Sequence, residues 1–144
     1  MSTNTFLFAW NARKWPWPEI DEAIAALQRG EEVIEAWRVA AYKRIQPGDR
    51  AFMVHVGAEP RGIFGSGYVH NLPYKQTEDD KTHLVDLNVE KLLNPAKQKI
   101  LTLDILAIGR LAKQTWTPQG SGILIQPDIV EELELVWDDF LSQE

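Results

Sequence analysis

Cysteine is absent from the 144 residues, so no disulfide, thiolate nucleophile or cysteine-based zinc site can be built. The three histidines, His55, His70 and His83, fall in separate predicted strands without close metal-ligand spacing, and read as surface or core side chains. No metal or cofactor is expected. No apolar run approaches the roughly 18 residues of a membrane span, and no basic segment followed by an apolar one opens the chain. The expectation is therefore neither a membrane contact nor a secretion signal, in a cytoplasmic setting. A nucleophile elbow is also missing, because neither Ser66 nor Ser121 has glycines two positions away on both sides. Gly62 to Gly67, GIFGSG, lacks the spacing of a phosphate loop and reads as a source of strand curvature. The length suits one domain over 1–144, too short for a reader and a catalytic domain together.

An excess of positive charge is lacking too, with a net charge of −6. Its distribution matters more than its sum. Seven of the 21 acids lie from Asp128 onward with no base among them, which leaves 14 acids against all 15 bases in residues 1–127. Local basic groups flank the aromatic segments: Arg13 and Lys14; Arg38, Lys43 and Arg44; Arg110 and Lys113. Either these are scattered surface cations or they face a polyanion, since phosphate binding depends on Lys and Arg.

Tryptophan is what the chain has in plenty, six in all. Trp137 lies on the apolar stripe of a predicted last helix, and Trp17, between two prolines, suits a packing plug or a staple for the helix that follows. Trp10, Trp37 and Trp116 remain as site candidates. Trp116 to Ile123, WTPQGSGI, joins an indole, an amide and a hydroxyl with Gly120 and Gly122, which free the main chain to approach a ligand. Taken alone, the stretch reads as a turn with a core tryptophan. The cluster Trp10, Trp15 and Trp17, within FLFAWNARKWPWP, shifts it towards a binding loop.

Periodicity predicts a mixed chain. Phe6 to Phe8, Val33 to Trp37, Ala51 to Val56, Arg61 to Leu72, His83 to Val89 and Gly122 to Ile125 read as strands; Glu19 to Arg29, closed by Gly30, and Pro127 to about Leu141 read as helices. Thr102 to Leu111 is a short helix or turn, and Glu78, Asp79 and Asp80 form a solvated loop. The class is α+β: a bent sheet or small β-barrel of about five or six strands with flanking helices.

Three strings in this order, FLFAWNARKWPW, KRIQPGDRAFMVHVG with PRGIFGSGYV, and WTPQGSGI before a final helix, resemble an EVE domain of the PUA-like superfamily. The match runs over nearly the whole chain and is most similar to the EVE modules fused to HNH nucleases in modification-dependent restriction enzymes. The resemblance implies a PUA-like barrel whose aromatic pocket receives a base flipped out of nucleic acid. It implies base-binding roles for Trp10, Asn11, Trp37, Arg38, Trp116, Gln119 and Ser121, with Arg13, Lys14, Lys43, Arg44 and Lys113 as phosphate-contacting candidates. The chain departs from the pattern at Ala12, where such modules often have proline, and at Arg38, Val39 and Ala40, where small polar residues and glycine are the norm. The expected function is a non-enzymatic reader of 5-methylcytosine or 5-hydroxymethylcytosine in DNA, with a separate nuclease or other effector protein as partner. Alternatives are a reader of modified RNA, a small-ligand or protein interaction module, and a small hydrolase or transferase using a carboxylate with His55 or His70.

Overall fold

The computed structural model describes residues 3–143. Phe6, Leu7 and Phe8 are fully buried because β1 (Thr5–Asn11) is an interior strand, parallel to β3 (Arg50–Val56) on one side and antiparallel to β7 (Ile123–Leu124) on the other. A strand covered on both faces reads as a continuous apolar run. It extends to Asn11, beyond the three residues expected, because β3 supplies partners as far as Val56. With β2 (Ile34–Arg38), β4 (Gly62–Val69) and β5 (Leu84–Leu92), the sheet runs β2-β5-β4-β3-β1-β7. β6 (Leu101–Thr102) pairs beside it with β4.

The sheet curls into a half-barrel flanked by helices, the α+β architecture expected from the sequence. The described residues form seven strands against the expected five or six: β7 falls within the strand expected at Gly122 to Ile125, and the added one, β6, is only two residues long, too short for an alternation pattern to reveal. Curvature enters through irregular registers at Met53/Val54 and Ser66/Gly67. A Cβ at Gly67 would overlap the Asn88 carbonyl, so the glycines of β4 serve close strand approach.

α1 (Ile20–Gln28) buries Ile20 and Ala23 with the helical spacing seen in the sequence, and stops at Gly30, whose φ of +80° suits the left-handed terminus. The expected helix or turn at Thr102 to Leu111 divides instead into the end of β6, α2 (Leu103–Leu106) and a 3-10 turn at Gly109–Lys113. Gly109, at φ +63°, opens that 3-10 turn. A 3-10 turn at Pro127–Ile129 leads into α3 (Val130–Ser142), which sets Leu133 and Trp137 against the sheet. The Trp137 indole N–H donates to Ser66 Oγ at 3.0 Å, and its ring meets Phe52 edge-on at 6.3 Å. Buried Arg50 binds Glu134 of α3 at 2.9 Å and Glu90 of β5 at 3.0 Å. The late acids therefore do more than solvate a helix face.

Candidate functional site

Curling brings the two ends of the sheet together. β2 lies at one end of the strand order and β1 with β7 at the other, yet Trp37 Nε1 of β2 donates to the Ala9 carbonyl of β1 at 3.0 Å. Beyond β2, the Ala40 and Ala41 amides donate to the Ser121 and Gly122 carbonyls at 2.7 and 3.0 Å. Ser121 Oγ accepts from the Ala9 amide at 3.0 Å, so one residue ties the seam from both sides. Gly122 permits this contact. Its φ is +72°, and a Cβ there would lie 2.7 Å from Val39 Cα. The glycine expected to admit a ligand admits the neighbouring backbone instead.

At this seam opens a cleft of about 970 Å³. Trp10 and Trp37 line it, with Trp17 between them: the rings of Trp17 and Trp10 are 5.7 Å apart at 86°, those of Trp17 and Trp37 5.9 Å apart at 82°. Perpendicular aromatic pairs at such distances are a favourable arrangement of ring quadrupoles. Trp10 also rests on Phe64 and His55 at 5.3 and 5.2 Å. Its Nε1 donates to the Trp15 carbonyl at 2.6 Å, so the polar ends of both Trp10 and Trp37 are held by main chain and their orientation is set before any ligand arrives. Trp15 itself stands 57% exposed, with the Arg38 guanidinium 4.9 Å from its ring centre. Such a contact orients the cation without neutralising it.

Polar groups line the remaining edge. Asn11 uses Oδ1 to accept from the Arg13 amide at 3.1 Å, which leaves its Nδ2 donors uncommitted. Ser121 spends one lone pair on Ala9 and keeps its hydroxyl hydrogen, while Gln119 is exposed at the wall. Gln76 arrives on the loop after β4. That loop is pinned by Tyr74, whose hydroxyl donates to Asp86 at 2.7 Å and is pushed up to about 12 by this carboxylate. Glu35 also lines the cleft. Burial is the main influence holding its carboxyl above the usual glutamate range, with Glu19 adding to it.

The structure thus gathers Trp10, Asn11, Trp37, Arg38, Gln119 and Ser121 around one cavity. Trp116 is the exception. Its ring is 7% exposed, its Nε1 donates to the Leu111 carbonyl at 2.9 Å, and it packs in the core away from the lining. Pro118 separates the two roles of the loop, because only residues 118–121 line the cleft. The third indole is Trp17, expected to be a packing plug. Its pattern in sequence, a tryptophan between prolines, carries no sign of the two indoles it meets. Trp15 was noted only as part of the aromatic cluster, and Glu35 and Gln76 were unmarked, although Glu35 stands two residues before Trp37, the spacing that puts side chains on one face of a strand.

Among the basic candidates, Lys14 and Arg38 line the cleft, and Arg13 adjoins Lys14 in sequence. A shallower recess of about 270 Å³ shares Arg38 and Ser121 with it and adds Lys81, His83 and Tyr42. There Tyr42 stacks on His83 at 3.7 Å, and Lys43 Nζ lies 5.8 Å from the Tyr42 ring centre. Arg44 is exposed in the same turn. Lys113 is placed differently: its Nζ binds Asp128 at 3.3 Å, with Arg110 on the Asp128 carbonyl at 2.9 Å, so this basic pair serves the junction with α3. Among the described residues, no carboxylate pairs with Arg13, Lys14, Arg38, Lys43, Arg44 or Lys81.

No group of three or more His, Asp and Glu among the described residues could hold a metal ion, and neither His55 nor His70 is hydrogen-bonded to a carboxylate. No helix among them is long and apolar enough to cross a membrane.

Neither a family model nor a curated protein matches the chain. Solved structures do. A hypothetical protein from Leishmania major is similar with a TM-score of 0.67 and 17% identity, over 97% of this chain and 98% of that one. A protein from Pseudomonas syringae is similar with a TM-score of 0.62 and 16% identity, over 92% and 98%. The Mmi1 YTH domain in complex with RNA gives 0.49 and 12%, over 98% of this chain and 81% of that one. For the first two, at these identities, the likeness is one of fold.

Proposed function

We propose that the protein reads nucleic acid by receiving one extruded, modified base in the tryptophan cleft, as its resemblance to EVE modules implies. The observation that carries this reading is the set of three indoles, Trp10 and Trp37 each braced by Trp17, in one cleft that Lys14 and Arg38 also line, cations that pair with no carboxylate among the described residues. Extruding a base costs a few kcal/mol, and stacking on an aromatic returns about 1 to 3 kcal/mol per base. Indoles fixed in advance lose little further freedom on binding, which favours the exchange. Lys14 and Arg38 suit phosphates on either side of the extruded nucleotide. The reading is of binding without turnover, with any cleavage left to a separate effector.

The leading ligand is DNA carrying 5-methylcytosine or 5-hydroxymethylcytosine, with modified RNA as the alternative. Ser121, Gln119 and Asn11 Nδ2 offer hydrogen bonds that a hydroxymethyl group would use. A methyl group in an apolar site is worth about 1 to 3 kcal/mol, so selectivity over plain cytosine is modest. One observation favours another ligand: aromatic walls with a carboxylate, Glu35, also suit an alkylated ammonium on a peptide. The unneutralised cations around the mouth oppose such a ligand by like-charge repulsion. Titration of tryptophan fluorescence with matched oligonucleotides at one salt concentration is the test. About tenfold tighter binding of the modified DNA, near 1.4 kcal/mol, is expected. Preference for the RNA series would move the assignment to RNA, and saturation only by a trimethyl-lysine peptide would replace it.

A further inference from the structure

We infer that Glu35 selects the exocyclic edge of the ligand, accepting a hydrogen bond from an amino group, so that the cleft takes an amino-bearing base and rejects its carbonyl counterpart. This rests on the base-reading function above and narrows its substrate class.

The placement of Glu35 follows from strand pairing. β2 runs antiparallel to β5 with Glu35 opposite Leu87 and Trp37 opposite Val85. Residues opposite one another share a face of the sheet. Leu87 and Val85 are fully buried, so Glu35 and Trp37 both stand on the core-facing side of β2, where the half-barrel opens into the cleft. A carboxylate is an unusual tenant for that face.

Several other acids in the described residues are satisfied internally, and the one buried carboxylate oxygen left without a partner among them, Glu132 Oε2, lies outside the cleft. Asp86 holds Asn71 and Tyr74, Asp49 caps the Gln46 amide, and Glu90 and Glu134 share Arg50. Among the described residues, none donates a hydrogen bond to the Glu35 carboxylate, and it is the one acid in the lining of the cleft. An unmatched, half-buried acceptor calls for an explanation, and a group held above its ordinary pKa by burial inside a cleft points to a ligand. Asn11 and Ser121 keep free donors there, whereas an ionised carboxylate only accepts. The complementary ligand group is therefore an N–H donor.

Cytosine and adenine carry such a donor, and thymine presents the O4 acceptor in the corresponding place. 5-Methylcytosine and thymine share ring, methyl group and outline, and differ by amino against carbonyl with a proton moved to N3. The pair tests the edge and leaves stacking unchanged.

The experiment measures affinity for single-stranded oligonucleotides identical except at one position, which holds 5-methylcytosine, N6-methyladenine or thymine. A single strand removes the cost of unpairing. The wild-type protein is expected to bind at least one amino-bearing strand about tenfold or more tightly than the thymine strand. Glu35→Gln, of the same shape and able both to donate and to accept, should bring that ratio within about threefold while a thermal melt shows a folded domain. Wild-type affinity for thymine equal to both amino bases, or a Glu35→Gln variant that keeps the full ratio, overturns the inference and leaves the reader intact. Failure of all three strands and of their duplexes to bind overturns the reading function and the inference with it.

Discussion

Trp10 and Trp37 tie their indole N–H groups to main-chain carbonyls and keep part of each ring in the cleft, whereas Trp116 and Trp137 tie theirs as firmly and are buried. Hydrogen bonding does not separate the two sets. Their surroundings do: Trp137 points from α3 into the core against Phe52 and Phe140, and Trp116 sits in the core, while Trp10, Trp17 and Trp37 lie at a seam where the sheet fails to close. The cations divide in the same way. Arg50, Arg110 and Lys113 near α3 meet Glu134 or Asp128, and those at the cleft mouth meet no acid among the described residues. The same residue types are framework in one region and available to a ligand in the other. Neighbours across the fold make the difference.

Removing a framework indole should have the largest effect. Trp137→Ala, and Trp116→Ala after it, should cost about 3 to 5 kcal/mol of folding stability in chemical denaturation. A Trp116→Ala protein as stable as wild type but unable to bind oligonucleotide would erase the division drawn here.

Cleft indoles should respond the other way. Trp37→Ala is expected to lose about 1 to 3 kcal/mol of binding in a fluorescence or calorimetric titration, with a smaller change in stability than Trp137→Ala. If it unfolds the protein instead, Trp37 belongs with the framework.

Salt dependence sharpens the comparison between cations. Only a few phosphates are expected at the rim, and Lys14→Ala should lower the slope of log affinity against log salt by about 0.7 to 0.9. Lys113→Ala should leave the slope unchanged, since Asp128 already holds that ammonium group. Equal effects from the two would mean that the polyanion covers both regions.

The smallest effect concerns stability against pH. The folded protein holds the Glu35 carboxyl above its ordinary value of 4.5, by burial and then Glu19, with Lys14 and Arg38 as cations lining the same cleft. A raised value means that folding favours the protonated form. That contribution is complete below the ordinary value and is lost as pH rises through the folded one. Glu35→Gln should therefore melt slightly higher than wild type near pH 7, and the gap should narrow as pH falls towards 4.5. A gap that widens on acidification would show the ionised carboxylate to be stabilising.

Much of this protein was legible in the sequence because it depends on local periodicity. Ile20, Ala23, Ile24 and Leu27 determined α1, Trp137 marked the buried stripe of α3, and the apolar run at Phe6 marked an interior strand. The pairing of β2 with β5, the curl and the seam were not legible. They rest on contacts between residues far apart in the chain, such as Trp37 with Ala9 and Ser121 with Ala9. Composition could bring Trp116 into a candidate site, but only packing could bury its ring and put Trp17 in the wall. A sequence determines which side chains are aromatic or charged, and tertiary structure decides which of their faces water and ligands can still reach, because burial is a property of neighbours that the chain supplies only once it has folded.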